Sequence, residues 1–360
     1  MIIDLGYRGL LRPLLFRAFS GDAERIHDRT LAAIARLGGN RLALASLARW
    51  FGRHREPTTV AGIQFPGLVG LAAGMDKNGL GIKTWSSLGF GFVELGTVTT
   101  QPQPGNEKPR LFRLPESRAI LNRMGFNNHG AQALADRLAV AGVGRGNMAV
   151  GIPIGISIGK TKNVPVADAT EDYLASLRTL APYADYFAIN VSSPNTAGLR
   201  SLQDPKALTD LITALVAEAW QLAAGGLPVP IFVKVAPDLT EVALEDVVQV
   251  CTDAGAEGLI ATNTTLGREG LATTDQVLVA ESGGLSGAPL TRRAREVVSF
   301  LAAHTTLPII GVGGIMSRDD GQAMLDAGAS LLQIYTGYIY AGPALLTELN
   351  RLEPDRAPPC

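Results

Sequence analysis

Beyond Pro57 the chain alternates between short apolar runs and longer stretches with helical periodicity, such as 207–223 and 244–254. Most of the apolar runs are hydrophobic at consecutive positions, which is typical of parallel strands buried on both faces. Eight such runs are predicted to be strands: 68–74, 92–98, 150–157, 186–193, 230–237, 258–265, 308–315 and 331–337. Eight successive βα units predict an α/β protein with a (β/α)₈ TIM-barrel fold.

A doubly wound open sheet is the main alternative to the barrel. It is disfavoured because no Gly-x-Gly-x-x-Gly motif follows the first predicted strand. The interval between the second and third strands is too long for a plain crossover. Residues 101–130 are therefore expected to form an inserted excursion over the top of the barrel.

The segment before the barrel has a different pattern. Apolar side chains recur there at helical spacing, at Tyr7, Leu10, Leu11, Leu14, Leu15, Ala18 and Phe19. Arginines occupy mostly other faces, as in an interfacial amphipathic helix, and Pro13 predicts a kink or a break. Ser20-Gly21-Asp22 predicts the cap of a second helix that ends at Gly38-Gly39. The two helices would form a small apolar lid, or alternatively they simply pack on the main domain.

Charge is segregated along the chain, although the formal net charge is only −1. Residues 1–55 hold ten arginines and four acidic residues, so the remainder carries about −7. Arginines beside a leucine stripe favour contact with anionic lipid headgroups. No run reaches the roughly 18 apolar residues of a membrane-spanning helix, and no cleavage site for export follows the first apolar stretch. Cys251 and Cys360 give neither a disulfide framework nor metal spacing, which favours a reducing cytoplasm and predicts no metal site.

The predicted strands end in polar residues, which a barrel would gather at one site. The fourth strand runs into Asn190-Val-Ser-Ser193-Pro-Asn195-Thr196, whose amides and hydroxyls suit a flat substrate that makes hydrogen bonds. Glycine-rich turns lie before and after the seventh strand, and Tyr335-Thr336-Gly337 ends the eighth. Backbone N–H groups at these positions often bind phosphate in barrels, which predicts a phosphorylated cofactor.

Six motifs resemble those of the class 2, quinone-linked dihydroorotate dehydrogenases. They are Gly70-Leu-Ala-Ala-Gly-Met-Asp-Lys77, Pro102-Gln-Pro-Gly-Asn106, Asn122-Arg-Met-Gly-Phe126, Asn190-Val-Ser-Ser-Pro-Asn-Thr-Ala-Gly-Leu-Arg200, Gly283-Gly-Leu-Ser-Gly-Ala-Pro-Leu290 and Ile310-Gly-Val-Gly-Gly314. The resemblance extends to the N-terminal helices, which the soluble class 1 enzymes lack. Class 1 enzymes also use a cysteine base, and no cysteine lies near a predicted strand tip here.

The resemblance implies an FMN enzyme that oxidises (S)-dihydroorotate to orotate in de novo pyrimidine biosynthesis and passes the electrons to a membrane quinone. It implies a peripheral protein at the cytoplasmic face of the membrane, in contact with the bilayer surface and without a nucleic-acid partner. The expected organisation is a membrane- and quinone-binding helical segment at 1–55, an FMN-binding barrel at 56–350 and a C-terminal tail at 351–360.

The resemblance also implies residue roles. Ser193 would act as the base, with Thr196 and Phe126 forming the proton route and its gate. Substrate would be bound by Lys77, Asn122, Arg123, Met124, Gly125, Phe126, Asn190, Asn195, Asn263 and Thr264. FMN would be bound by Ala73, Gly74, Met75, Asp76, Lys77, Thr97, Ser157, Asn190, Lys234, Thr262, Gly287, Gly313, Gly314, Tyr335 and Thr336. The quinone pocket would be lined by His27 and Arg113.

Several alternatives stay open at this point. Lys234 lies between two valines on a buried strand, where an ammonium needs a partner; it would face the flavin, or act as a Schiff-base lysine in a class I aldolase. Ser157 stands where many members of the family have Asn, so its contact with the cofactor would be shorter-reaching or mediated by water. His27 could be a packed helix residue. The whole chain could instead be another FMN- or phosphate-binding barrel enzyme, or a non-catalytic membrane-associated binding protein.

Overall fold

The structure is a computed structural model that describes residues 6–52, 57–147, 149–196 and 198–352. Its strands are β1 (Thr58–Val60), β2 (Ile63–Phe65), β3 (Val69–Leu71), β4 (Phe92–Val98), β5 (Leu111–Leu114), β6 (Ala119–Asn122), β7 (Ile154–Ile158), β8 (Tyr186–Asn190), β9 (Ile231–Val235), β10 (Gly258–Ala261), β11 (Gly284–Gly287), β12 (Ile309–Val312) and β13 (Leu331–Ile334). Its α-helices are α1 (Arg12–Arg17), α2 (Ala23–Leu37), α3 (Arg41–Phe51), α4 (Ala131–Val140), α5 (Ala169–Leu180), α6 (Pro205–Leu222), α7 (Glu241–Asp253), α8 (Thr291–His304), α9 (Arg318–Asp326), α10 (Thr336–Ala341) and α11 (Pro343–Leu349).

Eight parallel strands close into a barrel in the order β3, β4, β7, β8, β9, β10, β12 and β13. Each of the eight predicted apolar runs overlaps one of these strands, so the barrel prediction is confirmed and the open sheet is excluded. The observed strands are mostly shorter than the predicted runs because the polar residues at the ends of the runs belong to the loops that follow.

Aromatic rings fill the inside of the barrel at the N-terminal part of its strands, and each ring faces a glycine on a neighbouring strand. Gly70, Gly155 and Gly258 lie in register with Phe92, Tyr186 and Phe232 on the neighbouring strands. A Cβ added at any of these glycines would lie within 2.1–2.7 Å of the facing ring. The missing side chains thus make room for three large buried rings, which support the layer above them.

The predicted excursion contains an antiparallel pair, β5 and β6, which joins β11 in a separate three-stranded sheet. An antiparallel bridge between Thr265 and Leu285 ties this sheet to the loop after β10. Residues 101–130 and 284–287 therefore cover the C-terminal ends of the barrel strands, as expected for an insertion at that end.

The N-terminal segment is helical, but its details differ from the prediction. A π-helix at Tyr7–Leu11 runs directly into α1, so the chain is helical on both sides of Pro13 and does not break there. The break comes later, at Phe19 and Ser20, whose φ angles of 51° and 55° are left-handed. Asp22 then caps α2 by accepting a hydrogen bond from the Arg25 N–H at 3.0 Å, as predicted.

A third helix, α3, follows the two that were predicted. Large apolar side chains on the N-terminal helices are exposed, among them Leu10, Leu14, Leu42 and Trp50, which are 60–84 % accessible. Among the helices of the described residues, none is both long and apolar enough to cross a membrane. The proposed division at 1–55, 56–350 and 351–360 stays a prediction, and Cys360 with most of the tail lies outside the described residues.

Candidate active site

One cavity lies where the C-terminal ends of the barrel strands meet the inserted sheet. Its empty volume is about 1080 Å³, counted out to its opening. Most of the predicted site residues line it: Ala73, Gly74, Lys77, Thr97, Asn122, Met124, Gly125, Phe126, Asn190, Ser193, Asn195, Lys234, Thr262, Asn263, Thr264, Gly287, Gly313, Gly314, Tyr335 and Thr336. Met75, Asp76, Arg123, Ser157 and Thr196 do not line it.

Asparagine side chains form a frame around the cavity that consists of two hydrogen-bonded pairs. Asn195 Nδ2 donates to Asn122 Oδ1 at 3.3 Å, and Asn263 Nδ2 donates to Asn190 Oδ1 at 3.3 Å. Asn190 Nδ2 donates in turn to Thr97 Oγ1 at 2.8 Å. These bonds hold each amide in one orientation, so its remaining donor or acceptor is presented in a fixed direction.

Ser193 lies in the loop after β8 and is buried. Its Oγ accepts a hydrogen bond from the Asn195 N–H at 3.3 Å, which leaves the hydroxyl proton available. Thr196 follows in the same loop, and its Oγ1 is buried with no hydrogen-bond partner among the described residues. Phe126 is buried in the cavity wall with a left-handed φ of 53°. The structure thus brings Ser193 and Phe126 to one cavity, whereas Thr196 is buried in the same loop as Ser193 but does not line the cavity.

Lys77 projects from the loop after β3 into the cavity, and its Nζ donates to the Gly74 carbonyl at 3.2 Å. Burial lowers the pKa of Lys77 to about 8; Glu24 opposes this effect and Arg110 adds to it. Asp76 does not enter the cavity. Its carboxylate accepts hydrogen bonds from Leu80 N, Gly81 N and Trp85 Nε1, at 2.7–2.9 Å, and so fixes the loop that carries Lys77.

Ser157 lies behind Thr97 rather than in the cavity wall. Its Oγ is 2.9 Å from Thr97 Oγ1, and the side chain is fully buried. Because Thr97 Oγ1 accepts a hydrogen bond from Asn190, Ser157 supports a residue of the wall. A short serine at this position is satisfied by Thr97 and does not reach the cavity.

Arg123 points away from the cavity. Its guanidinium pairs with Glu281 at 2.5 Å, donates to the Pro109 carbonyl at 2.8 Å and stacks over the Phe112 ring. These contacts connect the end of β6, which carries Asn122, to β5 and to the loop before β11.

Glycine-rich turns form another part of the cavity wall. Gly287, Gly313 and Gly314 all have φ between +70° and +123°, a conformation that side chains rarely adopt. A Cβ on Gly314 would lie 2.2 Å from Thr291 Cα, and one on Gly287 would lie 2.3 Å from the Arg118 carbonyl oxygen. The close approach of backbone to backbone explains why glycine stands at the end of β11 and in the turn after β12.

A buried polar cluster that the sequence did not reveal lies inside the barrel. Glu94 on β4 pairs with Lys234 on β9 at 3.2 Å and also accepts hydrogen bonds from Gln333 Nε2 at 2.7 Å and Tyr186 Oη at 3.2 Å. Lys234 and Gln333 both line the cavity. The available signal was a single polar residue inside each of two apolar runs, Phe-Val-Glu94-Leu and Leu-Leu-Gln333-Ile.

A second cavity lies between the N-terminal helices and the inserted sheet. Arg113 lines it and donates to the carbonyl oxygens of Phe16 and Gly21 at 3.2 and 2.6 Å. Leu111 lies in the wall of both cavities. His27 on α2 lines neither one; burial lowers its pKa to about 4, and the nearby Lys77 adds to this shift, so the imidazole is neutral near pH 7.

The residues of the first cavity suit a flavin. It combines a buried ammonium with amide and hydroxyl groups that can serve as donors and acceptors for a flat heterocycle. Gly74, with φ of 99°, contributes no side chain to the wall, so a planar ring can approach its backbone. Gly313 and Gly314 add the glycine-rich turn that phosphate groups favour in this fold.

The geometry defines a barrel enzyme whose strand tips surround a ring-shaped ligand, and comparison with known proteins specifies its family. The family model described as dihydroorotate dehydrogenase matches residues 56–352. The chain is 54 % identical over 353 residues to the dihydroorotate dehydrogenase (quinone) of Chloroflexus aurantiacus, with 96 % of each chain covered. It is also 54 % identical over 342 residues to the protein of that name from Salinispora arenicola, covering 94 % of this chain and 96 % of that one. The chain therefore belongs to the dihydroorotate dehydrogenase family, whose members are flavin-dependent oxidoreductases.

Solved structures agree with this assignment. A crystal structure of DHODH in complex with ferulenol from Eimeria tenella superimposes with a TM-score of 0.81 at 33 % identity, covering 97 % of this chain and 93 % of that one. The ligand-free type from the same organism gives a TM-score of 0.74 at 36 % identity, with coverages of 86 % and 92 %. The resemblance that the motifs predicted is confirmed.

Proposed function

We propose that this protein is a quinone-dependent dihydroorotate dehydrogenase that oxidises dihydroorotate to orotate with FMN as its cofactor, in pyrimidine biosynthesis. One observation carries the proposal: Ser193, Lys77 and the asparagine frame all line one cavity at the C-terminal end of a closed barrel. Relatives at 45–54 % identity over most of the chain carry the name dihydroorotate dehydrogenase (quinone), which supports the same activity here.

The asparagine frame and Lys77 would bind the substrate. Asn122, Asn190, Asn195 and Asn263 carry both amide donors and acceptors, which suit the carbonyl and N–H groups of a dihydropyrimidine-dione. Lys77 supplies a positive charge for the substrate carboxylate. The hydrogen bonds between the amides fix these groups before substrate arrives, which lowers the entropic cost of orienting it.

Ser193 is the proposed base. It would take a proton from a substrate carbon at its Oγ, which already accepts the Asn195 N–H and so is held in place. When bound, the flavin would accept the hydride that leaves the substrate. As Oγ takes that proton, the hydroxyl's own proton would leave through Thr196, whose buried Oγ1 has an unused hydrogen-bonding capacity, and Phe126 would gate this route.

The flavin would be held by residues from several strand ends. Lys234 would place its ammonium at the pyrimidine end of the ring and favour the reduced, anionic form. The Gly313-Gly314 turn and Thr336 would hold the phosphate, with Ala73, Gly74 and Thr262 alongside the ring. The ion pair with Glu94 also argues against a Schiff-base role for Lys234, because an aldolase lysine must be a neutral amine to attack a carbonyl.

The quinone would approach through the second cavity. Leu111 forms a wall common to both cavities, so an acceptor bound beside it comes close to the flavin site. The exposed Leu10, Leu11 and Leu14, together with neighbouring arginines, suit the surface of an anionic bilayer. We place the protein as a peripheral protein at the cytoplasmic face of the membrane.

The test is a turnover assay with purified protein loaded with FMN. Dihydroorotate should reduce a soluble quinone analogue, whereas NAD⁺ and fumarate should not serve as acceptors at comparable rates. Replacing Leu10, Leu11 and Leu14 with Ser should weaken binding to anionic vesicles and turnover with a long-chain quinone, but not turnover with the soluble analogue. Failure of dihydroorotate to reduce any acceptor would refute the proposed activity.

A further inference from the structure

The carboxylate of Glu94 is surrounded by donors. It accepts hydrogen bonds from Lys234 Nζ at 3.2 Å, Gln333 Nε2 at 2.7 Å and Tyr186 Oη at 3.2 Å. Burial and the neighbouring Glu94 raise the pKa of Tyr186 well above its usual value, so the phenol keeps the proton that it donates. Three donors around one carboxylate are the arrangement that an ionised carboxylate satisfies.

This arrangement fixes the orientation of the Gln333 amide. If the amide were reversed, its Oε1 would face the Glu94 carboxylate and the Tyr186 oxygen, and two acceptors would repel each other. Nε2 therefore points to Glu94, and Oε1 is left on the other side. Gln333 is fully buried, and its Oε1 has no hydrogen-bond partner within the described part of the chain.

Strand geometry places the cluster at the floor of the first cavity. Glu94 and Lys234 each come two residues after Phe92 and Phe232, so they lie on the same inward face of their strands, one layer above the aromatic rings. Lys234 and Gln333 line the cavity. Because both are bonded to one carboxylate, a fixed donor and an unsatisfied acceptor lie side by side at that floor.

We propose that Glu94 positions Lys234 and Gln333 as a donor and acceptor pair that recognises the pyrimidine edge of the flavin, with Gln333 Oε1 accepting the ring N–H. That edge carries a carbonyl group next to an N–H, which matches an ammonium next to an amide oxygen. The ribityl chain and phosphate have no such pattern. The inference rests on the proposed function, because it requires a flavin in this cavity. Gln333 is then a binding residue, and Glu94 is a positioning residue that acts through its two neighbours.

The test uses the protein with its flavin exchanged for FMN labelled with ¹⁵N at the imide nitrogen. In the wild type, the imide N–H should give a resonance that is shifted downfield and exchanges slowly with water. Gln333→Met keeps the approximate side-chain volume but removes the Oε1 acceptor, together with the Nε2 donor to Glu94. It should raise the FMN dissociation constant about 3- to 10-fold, the usual effect of one neutral hydrogen bond, and should move the imide signal upfield with faster exchange.

Glu94→Gln tests the positioning role. It keeps the shape but removes the charge that orders both partners, so FMN binding should weaken more than in Gln333→Met, and the imide signal should move in the same direction. Gln322→Met on the exposed face of α9 is the matched control and should change neither measurement. If Glu94→Gln does not fold, the Gln333→Met result decides the question alone.

An unchanged dissociation constant and imide resonance in a folded Gln333→Met protein would overturn the inference, since a buried water would then satisfy Oε1. That outcome leaves the proposed function intact, because the wild type still binds FMN. A wild type that cannot be loaded with FMN refutes the proposed function and the inference together, so the two failures are distinguishable.

Discussion

Asn195 Nδ2 donates a hydrogen bond to Asn122 Oδ1 across 3.3 Å, although the two residues are 73 positions apart in the chain. Asn122 ends β6 of the inserted sheet, and Asn195 lies in the barrel loop that carries Ser193. The bond joins the insertion to the proposed catalytic loop across the cavity. The geometry of the site therefore depends on how the insertion is positioned relative to the barrel loop.

This relationship predicts a non-additive loss of activity. Asn195→Ala and Asn122→Ala should each lower kcat/KM for dihydroorotate, because each removes a substrate contact and releases its partner amide. The double variant should lose clearly less than the product of the two single effects. Stability should fall by only about 1 kcal/mol in each, as expected for one partly exposed hydrogen bond. Strictly multiplicative losses in kcat/KM would show that the two amides act independently.

The pKa of Lys77 predicts how kcat/KM for dihydroorotate changes at alkaline pH. Since burial lowers its pKa to about 8, kcat/KM for dihydroorotate should fall as pH rises above about 8, when the ammonium that binds the substrate carboxylate is lost. Lys77→Arg keeps its charge to much higher pH, so its alkaline limb should move upward even if the maximal rate is lower. An alkaline limb at the same pH in both proteins would assign that limb to another group.

The lowered pKa of His27 predicts how the free energy of unfolding depends on pH in the acidic range. Its pKa is lowered from 6.5 to about 4 in the folded protein, so between these values the unfolded chain binds a proton that the folded chain does not. The free energy of unfolding should therefore decrease as pH falls from about 6.5 to about 4, by up to about 3 kcal/mol from this residue. His27→Gln should show a smaller decrease in denaturant titrations over this range. Parallel pH dependence in the two proteins would rule out this contribution.

The Glu24–Arg110 ion pair joins α2 to the barrel insertion, and we expect it to contribute to the free energy of unfolding. Arg110 Nη2 lies 2.7 Å from Glu24 Oε1, and both side chains are buried. Burial opposes ionisation of Glu24, but hydrogen bonds from Arg110 and Lys108 outweigh it and lower the pKa of the carboxyl. Arg110→Met should cost about 3 kcal/mol in denaturant unfolding, the lower end of the range for a broken buried pair, because the carboxylate keeps only the largely exposed Lys108, at 3.2 Å, as its partner.

Two further variants control for this effect. Adding Glu24→Leu to Arg110→Met should recover much of the lost stability by removing the buried charge that Lys108 alone compensates poorly. Asp210→Asn breaks the exposed pair with Lys206 and should cause no measurable change. A loss in the double variant as large as in Arg110→Met would mean that packing of Arg110, not its charge, holds α2 in place.

Much of the fold follows from local patterns along the chain. Eight runs of consecutive apolar residues predict buried parallel strands, and the polar residues at their ends predict where a site forms. Asp22 and the glycines after Leu37 predict the limits of α2. These features depend on neighbouring residues, and therefore a single sequence contains them.

What the sequence did not reveal depends on contacts between distant residues. Glu94 and Gln333 are 239 positions apart, and only closure of the barrel brings them together. Ser157 was expected near the flavin, but Thr97 on the neighbouring strand takes up its hydroxyl. Arg123 lies inside a matching motif, yet its partner Glu281 turns it away from the cavity. In each case a tertiary partner decides which way a polar side chain points.

The most direct test of the central claim is the anaerobic reduction of the bound flavin by dihydroorotate, followed through the visible absorbance in a stopped-flow instrument. The wild type should bleach rapidly. Ser193→Ala should keep the colour but bleach at least about 10²-fold more slowly, the usual loss when a positioned base is removed. Wild-type flavin that dihydroorotate does not bleach, or equal rates in the two proteins, would contradict the account of a flavin and a serine base acting on one substrate in this cavity.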